Sequence, residues 1–427
     1  MKRLVERARH YANVALWHLR KGPGRLARSL GSTLVPAIAF GGLVVLAIVE
    51  RVRTSWRRLR GARPRLIWGP TPIISIKYWS QAMRHVGYES LSVALTVYPA
   101  NERSDFDVHW DELIEPSRLP AGLRPYKPFA WALRHGDVFM LFFDGGFLRG
   151  TPLEWWEYPL MRLAGKKIVV SAYGGDIAVP GHLRGIEEAL LAEYPYLREQ
   201  GELTKRRVLH SLEHAHASVL THQQGFQPSY NVVWGNQLAI DTELWNGAGA
   251  VSDADGRGAP VVVVHAPNHR ATKGTRFLES AVDQLRTEGL KIDLQIFEGR
   301  PNTEVRAAVL ESDIVADQFV MEGYGQFATE GMAAGKPVLA NMSALPELFR
   351  DTAQLRDCPI VDTDPETLTE VLRRLVQDPS LRRELGEASR DYVMRYHSYD
   401  AAGRDWASIV GFAWSGEALP DHLAVVD

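Results

Sequence analysis

Hydrophobic and polar positions alternate along this chain in two long series preceded by a different kind of segment. From residue 66 onward, short apolar runs of strand length are separated by helical patterns, the arrangement expected of β-α-β units stacked around a parallel sheet. "RLIWG", "SLSVALTVY", "DVFMLFF", "KKIVVSAY", "ASVLTH" and "NVVWG" read as strands, with helices over about 73–86, 153–163 and from Arg184. A stretch rich in Gly, Ala and Asp at 246–260 breaks the alternation and reads as a linker. A second series follows with "VVVVHAP", "IDLQIFEG", "DIVADQFV", "KPVLANM" and "CPIVD" as strands and "GTRFLESAVDQLRTEG" as a helix. The expected organisation is two Rossmann-like α/β domains, 63–245 and 261–400, and a tail, 401–427, whose helix crosses back toward the first domain.

The first 62 residues follow another pattern. "LGSTLVPAIAFGGLVVLAIV", Leu30 to Val49, carries no charge over about the length a helix needs to cross a bilayer. Pro36 and the neighbouring Gly41 and Gly42 weaken a continuous helix there. Fifteen lysines and arginines precede Leu66, against Glu6 and Glu50 alone, and they flank the apolar run on both sides. Because basic flanks stay on the cytoplasmic side, neither end favours crossing. A re-entrant or in-plane insertion on anionic headgroups is therefore favoured over a single span, with residues 1–62 as a membrane-surface segment on the cytoplasmic face. Upstream, residues 4–19 place Leu4, Ala8, Tyr11 and Ala15 on one helical stripe suited to the same surface.

Composition narrows the classes. A formal net charge of −2 argues against a nucleic-acid binder that relies on overall charge. Cys358 is the sole cysteine, which excludes an intrachain disulfide and a zinc site built on several thiolates. His210 and His214 have the helical spacing of a metal pair, but no further ligand completes a site from the pattern, so no metal is assigned.

In open parallel sheets, ligands bind outside the carboxyl ends of the strands, so the loops after the strands are the places to search. "MEGYGQFATEGMAAGKPV", from Met321, follows one such strand. The N–H groups of Gly323, Tyr324, Gly325 and Gln326, with the start of the next helix, form an expected anion site. Glu322 and Glu330, with seven residues between them, are carboxylates suited to ligand hydroxyls, since one carboxylate accepts from two adjacent hydroxyls. "HAPNHRATKGT" places Arg270 and Lys273 in the loop after the first strand of the second domain, where cations meet a diphosphate. In the first domain, "VVSAYGGDIAVP" offers Asp176 at a strand end, and the 144–150 loop "DGGFLRG" shapes the acceptor side. No Walker lysine loop or Gly-x-Ser-x-Gly elbow is present.

These motifs resemble the retaining glycosyltransferases with the GT-B fold, the family-4 or group-1 type with a Glu-x7-Glu signature. The family pattern of Glu-Gly-aromatic-Gly, Glu-Ala-Met-Ala and Gly-x-Pro-Val is met here by Glu322 to Gly325, by Glu330 to Ala333 with Gly331 for the usual alanine, and by Gly335 to Val338. The resemblance implies two Rossmann-like domains facing across a cleft, with a nucleoside diphosphate sugar as donor substrate and no cofactor. It implies that Glu322 contacts the donor sugar, Glu330 the ribose, the loop amides the diphosphate or sugar, and Lys273 with Arg270 the leaving diphosphate. Arg270 is displaced by two residues from the usual arginine position, and Tyr173 stands where relatives carry histidine. The expected activity is sugar transfer to a glycan or lipid-linked acceptor at the membrane, in polysaccharide or cell-envelope assembly. The rivals are a GT-B sugar-nucleotide epimerase and a non-catalytic scaffold subunit.

Overall fold

The computed structural model describes residues 23–424, apart from 99–100, 116, 184, 223–224, 247–250, 344 and 351. The helical stripe expected at 4–19 lies outside the described residues. Among those described, two parallel sheets form. The first has the order β3-β2-β1-β4-β5-β6-β7, from β1 (Leu66–Trp68), β2 (Ser90–Ala94), β3 (Val108–His109), β4 (Val138–Leu141), β5 (Lys167–Ser171), β6 (Ala217–Leu220) and β7 (Val232–Val233). The second has the order β12-β11-β10-β8-β9, from β8 (Val261–His265), β9 (Ile292–Ile296), β10 (Ile314–Glu322), β11 (Val338–Asn341) and β12 (Val361–Asp362). Each apolar run read as a strand contains one of these, and β3 is the one the pattern missed, being two residues long.

The central strands of both sheets are buried on both faces, which is why they read as continuous apolar runs rather than alternating ones. Strand order reverses between β1 and β4 in the first sheet and between β8 and β10 in the second. Those reversals open a crevice at the carboxyl end of each sheet, and they decide which loops form a site.

The chain crosses between the domains twice. After β7, Ile240 and Trp245 enter the apolar core of the second domain. The helix Tyr399–Ser415 returns to the first domain, where Trp406 packs 5.0 Å from Trp68 and 5.3 Å from both Trp79 and Trp234.

The N-terminal helix, Pro23–Leu59, runs unbroken through Pro36 and both glycines, so the apolar run does not fold as a re-entrant hairpin. The one hydrogen bond lost at Pro36 is outweighed by packing further along. Ala39, Leu43 and Ala47 enter the first domain's core, followed by buried Glu50 and Thr54, a stripe of mostly small residues that lets the helix approach closely. At its far end lies a buried charge network. Glu50 and Asp137 both face the Lys166 ammonium, at 3.5 and 3.4 Å, and Asp137 also accepts from Arg57 and Arg65. Burial alone would raise the Asp137 carboxyl, yet the Arg65 guanidinium and Lys166 hold it below the ordinary range. A boundary at residues 62 and 63 therefore lies beyond a helix that is part of the first domain's packing.

The opposite stripe of that helix, Leu34, Ile38, Val45, Ile48, Val49, Val52, Trp56 and Leu59, is exposed. From Leu34 to Leu59 the helix is long and apolar enough to cross a membrane by length and composition.

Candidate active site

The loops flanking the second sheet's crevice are those after β8 and β10, and the fold brings Lys273 and the 322–325 loop together there. Lys273 closes a one-turn helix, Arg270–Lys273, and its buried ammonium reaches β10, 2.5 Å from Asp317 Oδ1 and 2.8 Å from Gln318 Oε1. Asp317 Oδ2 accepts the Gly325 N–H at 3.1 Å. Cation and glycine loop are thus joined through one carboxylate.

Arg270 goes elsewhere. Its guanidinium pairs with Glu279 at 2.9 Å and Glu298 at 3.3 Å, and it is half-exposed. The side chain with its hydrogen-bonded carboxylates stands outside the Lys273 cluster, so the two cations expected to act together do not converge. One turn of helix separates them, and opposite partners pull them apart.

The loop itself is more self-satisfied than the sequence implied. Gly323 N–H donates to Asn341 O at 2.7 Å and Gly325 N–H to Asp317, so two of the four expected anion donors are engaged within the protein. The first-turn N–H groups of the helix Gln326–Ala333 have no carbonyl partner within that helix. Gly323 adopts φ +74°, and a Cβ there would lie 2.5 Å from His222 Cδ2. Only glycine permits that approach.

Tyr324 points away from the crevice. Fully buried, it shares its hydroxyl with Tyr392 at 2.7 Å and His397 Nε2 at 2.9 Å, and burial raises its phenol far above the usual value. Its side chain anchors the loop, and only its backbone remains near the crevice. Gln326 donates to Ala239 O at 3.4 Å in the segment linking the domains.

Glu322 is half-buried at the end of β10, paired in register with Asn341. Glu330 is buried in the following helix and accepts from Asn302 Nδ2 at 3.2 Å. Burial, reinforced by the Asp317 charge, lifts its carboxyl to about 8. A carboxyl kept neutral this way gains its full acceptor strength only when ligand donors satisfy it.

On the first domain, Asp176 is not the open polar contact the sequence suggested. Its carboxylate accepts the backbone N–H groups of Phe143, Tyr173 and Gly174, all at 3.0 Å, and so staples the loops after β4 and β5. Burial and the neighbouring Asp144 raise it to about 7. Asp144 instead holds the β1/β4 reversal. It accepts from Thr71 Oγ1 at 2.9 Å and Arg149 Nη1 at 2.6 Å, bridging the two loops that bound the first sheet's crevice. The sequence flagged only its loop.

Direct contacts join the two domains beside these crevices. His222, in the loop after β6, stacks on Tyr324 with ring centroids 6.0 Å apart, Asn236 Nδ2 donates to Tyr324 O at 3.1 Å, and the Tyr194 hydroxyl bonds His269 Nδ1. Away from the cleft, His210 and His214 lie on one helical face with Glu213 beside them, supplying the carboxylate that the pattern alone did not reveal.

The same pairing of parallel-sheet α/β domains is shared with several solved structures. Sucrose-phosphate synthase from Thermosynechococcus elongatus aligns over 83% of this chain and 100% of its own, with a TM-score of 0.53 at 13% identity. HepE from Anabaena in complex with UDP aligns over 81% and 99%, with 0.51 at 14%. The catalytic domain of starch synthase IV from Arabidopsis thaliana, bound to ADP and acarbose, aligns over 83% and 100%, with 0.54 at 10%. The fold is GT-B. Within the second GT-B domain, residues 276–392 match the family model described as glycosyl transferases group 1, a span that includes Glu322 and Glu330 and begins just after Lys273. No curated protein matches the sequence.

Proposed function

We propose that the chain is a retaining glycosyltransferase that moves a hexose from a nucleoside diphosphate sugar to a glycan or lipid-linked acceptor. The observation that carries this reading is the convergence of Lys273 with the glycine loop through Asp317 at the β8/β10 crevice, the loop itself lying inside the span that matches the group 1 family model. In this reading Glu330 takes the ribose hydroxyls, Glu322 orients the sugar, and Lys273 with the helix N-terminus receives the diphosphate. The bond from the sugar's C1 to the β-phosphate oxygen breaks with its electron pair going to the diphosphate. The acceptor oxygen bonds C1 on the same face, and its proton passes to the departing oxygen. Fixed cations and N–H dipoles lower the barrier most where that negative charge develops. The reaction draws on no resident metal or cofactor, and Arg270 reaches the diphosphate only by leaving its two glutamates.

The membrane part of the proposal rests on the exposed stripe of the N-terminal helix. A helix glued to the protein along one side by buried charge is suited to lie in the plane of one leaflet rather than span it. Arg53 and Arg60 flank the far end of the stripe, Arg60 stacking on Trp56, and match anionic headgroups on the cytoplasmic face. The near end packs at Gly122 and Trp156, beside the carboxyl edge of the first sheet. An acceptor drawn from the bilayer would arrive on that edge, as in polysaccharide or cell-envelope glycolipid assembly.

Thermal unfolding of the full chain against UDP-, GDP- and ADP-sugars tests the donor reading. One nucleotide class is expected to stabilise, by about 2.7 kcal/mol at a hundredfold excess over Kd. A chain that none of them stabilises, and that releases no nucleoside diphosphate from any of them, refutes it.

A further inference from the structure

The buried stretch of β10, residues 314–319, is apolar except for two adjacent polar residues, Asp317 and Gln318. Two polar side chains in the middle of a buried parallel strand are costly unless every polar atom is satisfied. Here their partners are all elements of the candidate donor site. Asp317 takes the Lys273 ammonium on one oxygen and the Gly325 N–H on the other. Gln318 takes the same ammonium on Oε1 at 2.8 Å, and its amide donates to the carbonyls of Glu322 and Gly323, both at 2.9 Å.

Successive residues on a regular strand face opposite sides of the sheet, so one lysine would not normally meet both. β10 departs from regular pairing at this point. Its register with β11 shifts between Ala316 and Gln318 and again between Gln318 and Glu322. Such irregularities re-aim side chains, and they recur beside active sites.

We propose that Asp317 and Gln318 are positioning residues for the donor diphosphate. They lock the Lys273 ammonium and the 322–325 loop into one rigid unit before the donor arrives. An ammonium has three N–H donors, and two are directed to this pair, so the third is the one a diphosphate oxygen takes. The inference rests on the glycosyl-transfer reading. It differs in assigning Lys273 its geometry from β10 rather than from its own helix, which is a single turn long.

The test measures release of UDP, GDP or ADP from UDP-glucose, GDP-mannose and ADP-glucose by the full chain, with kcat and KM separated. Asp317→Asn keeps the shape and one acceptor but loses the charge. It is expected to lower kcat about 10- to 100-fold while KM stays within about threefold, the profile of a group acting on the transition state rather than on binding. Lys273→Ala should fall by a similar factor. The double variant should be no more than about threefold slower than Lys273→Ala alone, because Asp317 acts through that lysine. Retention of kcat within about twofold in Asp317→Asn, or a double loss equal to the product of the single losses, overturns the inference. If Asp317→Asn fails to fold, Gln318→Leu carries the same expectation, and kcat within about twofold of the native chain overturns it. A native chain that releases no nucleoside diphosphate and is stabilised by none of UDP, GDP or ADP refutes both the glycosyl-transfer reading and this inference. An active native chain with an undisturbed Asp317→Asn refutes this one alone.

Discussion

Replacing Lys166 with Met asks whether buried charge holds the N-terminal helix to the first domain. Lys166, Glu50 and Asp137 are all excluded from water, and the ammonium lies 3.5 and 3.4 Å from the two carboxylates. At an effective dielectric of about 20, each pair attracts by about 5 kcal/mol, most of which offsets desolvation. Met fills similar space, so the loss comes from the charges left behind. Asp137 keeps Arg57 and Arg65, whereas the ion pair left to Glu50 among the described residues is Arg53, whose side chain is 64% exposed. The cost therefore falls at the low end for a broken buried pair, about 3 kcal/mol. For a domain of this size that lowers the unfolding midpoint by about 6–12 °C. Thermal unfolding of the full chain in detergent, followed by tryptophan fluorescence, reads the change, because Trp68, Trp79 and Trp234 lie in the first domain's core. The combination Glu50→Leu with Lys166→Met should recover at least half of the loss, since no carboxylate is then stranded. A shift below about 2 °C for Lys166→Met, or no recovery in the double variant, would mean that apolar packing alone seats the helix.

Three further expectations follow from the site and the helix. The Glu330 carboxyl sits at about 8, above its ordinary value, so the stability from its neutral form is complete below about pH 4.5 and is lost as pH rises through 8. Glu330→Gln should therefore flatten the decline of the unfolding midpoint between pH 5 and 9; parallel curves for the two chains would contradict the assignment. Gly323→Ala places a Cβ 2.5 Å from His222 at φ +74°, and is expected to cost about 1–3 kcal/mol and to abolish nucleotide-induced stabilisation. Unchanged stabilisation in that variant would show that the loop tolerates displacement. Val45→Glu with Val52→Glu changes two exposed positions on the outer stripe, so unfolding should move by less than about 2 °C while cosedimentation with phosphatidylcholine–phosphatidylserine vesicles is lost. Persistent vesicle binding would remove the stripe as the membrane contact.

What could be read from sequence depended on whether local pattern or long-range pairing set the outcome. Parallel strands buried on both faces leave continuous apolar runs, and the domains were legible for that reason, while β3, held by only two residue pairs with β2, left no run to read. The glycine loop was equally legible because its chemistry is contiguous, from Glu322 to Gly325. Side-chain direction was not. Arg270 and Lys273 stand three residues apart, yet one turns to Glu279 and the other to Asp317, partners nine and 44 residues away. Asp176 read as a ligand contact because a carboxylate at a strand end looks the same whether it meets a substrate or three backbone amides. The polar pair in "DIVADQFV" was visible from the start as an interruption of a buried strand, and that was the available signal for Asp317 and Gln318. The N-terminal helix shows the same limit from the other direction. Hydrophobicity marked its length but could not distinguish a helix apolar all round from one with two different apolar stripes, and only the positions of Glu50 and Thr54, one turn apart on the Ala39, Leu43 and Ala47 side, separate the face that meets protein from the face that does not.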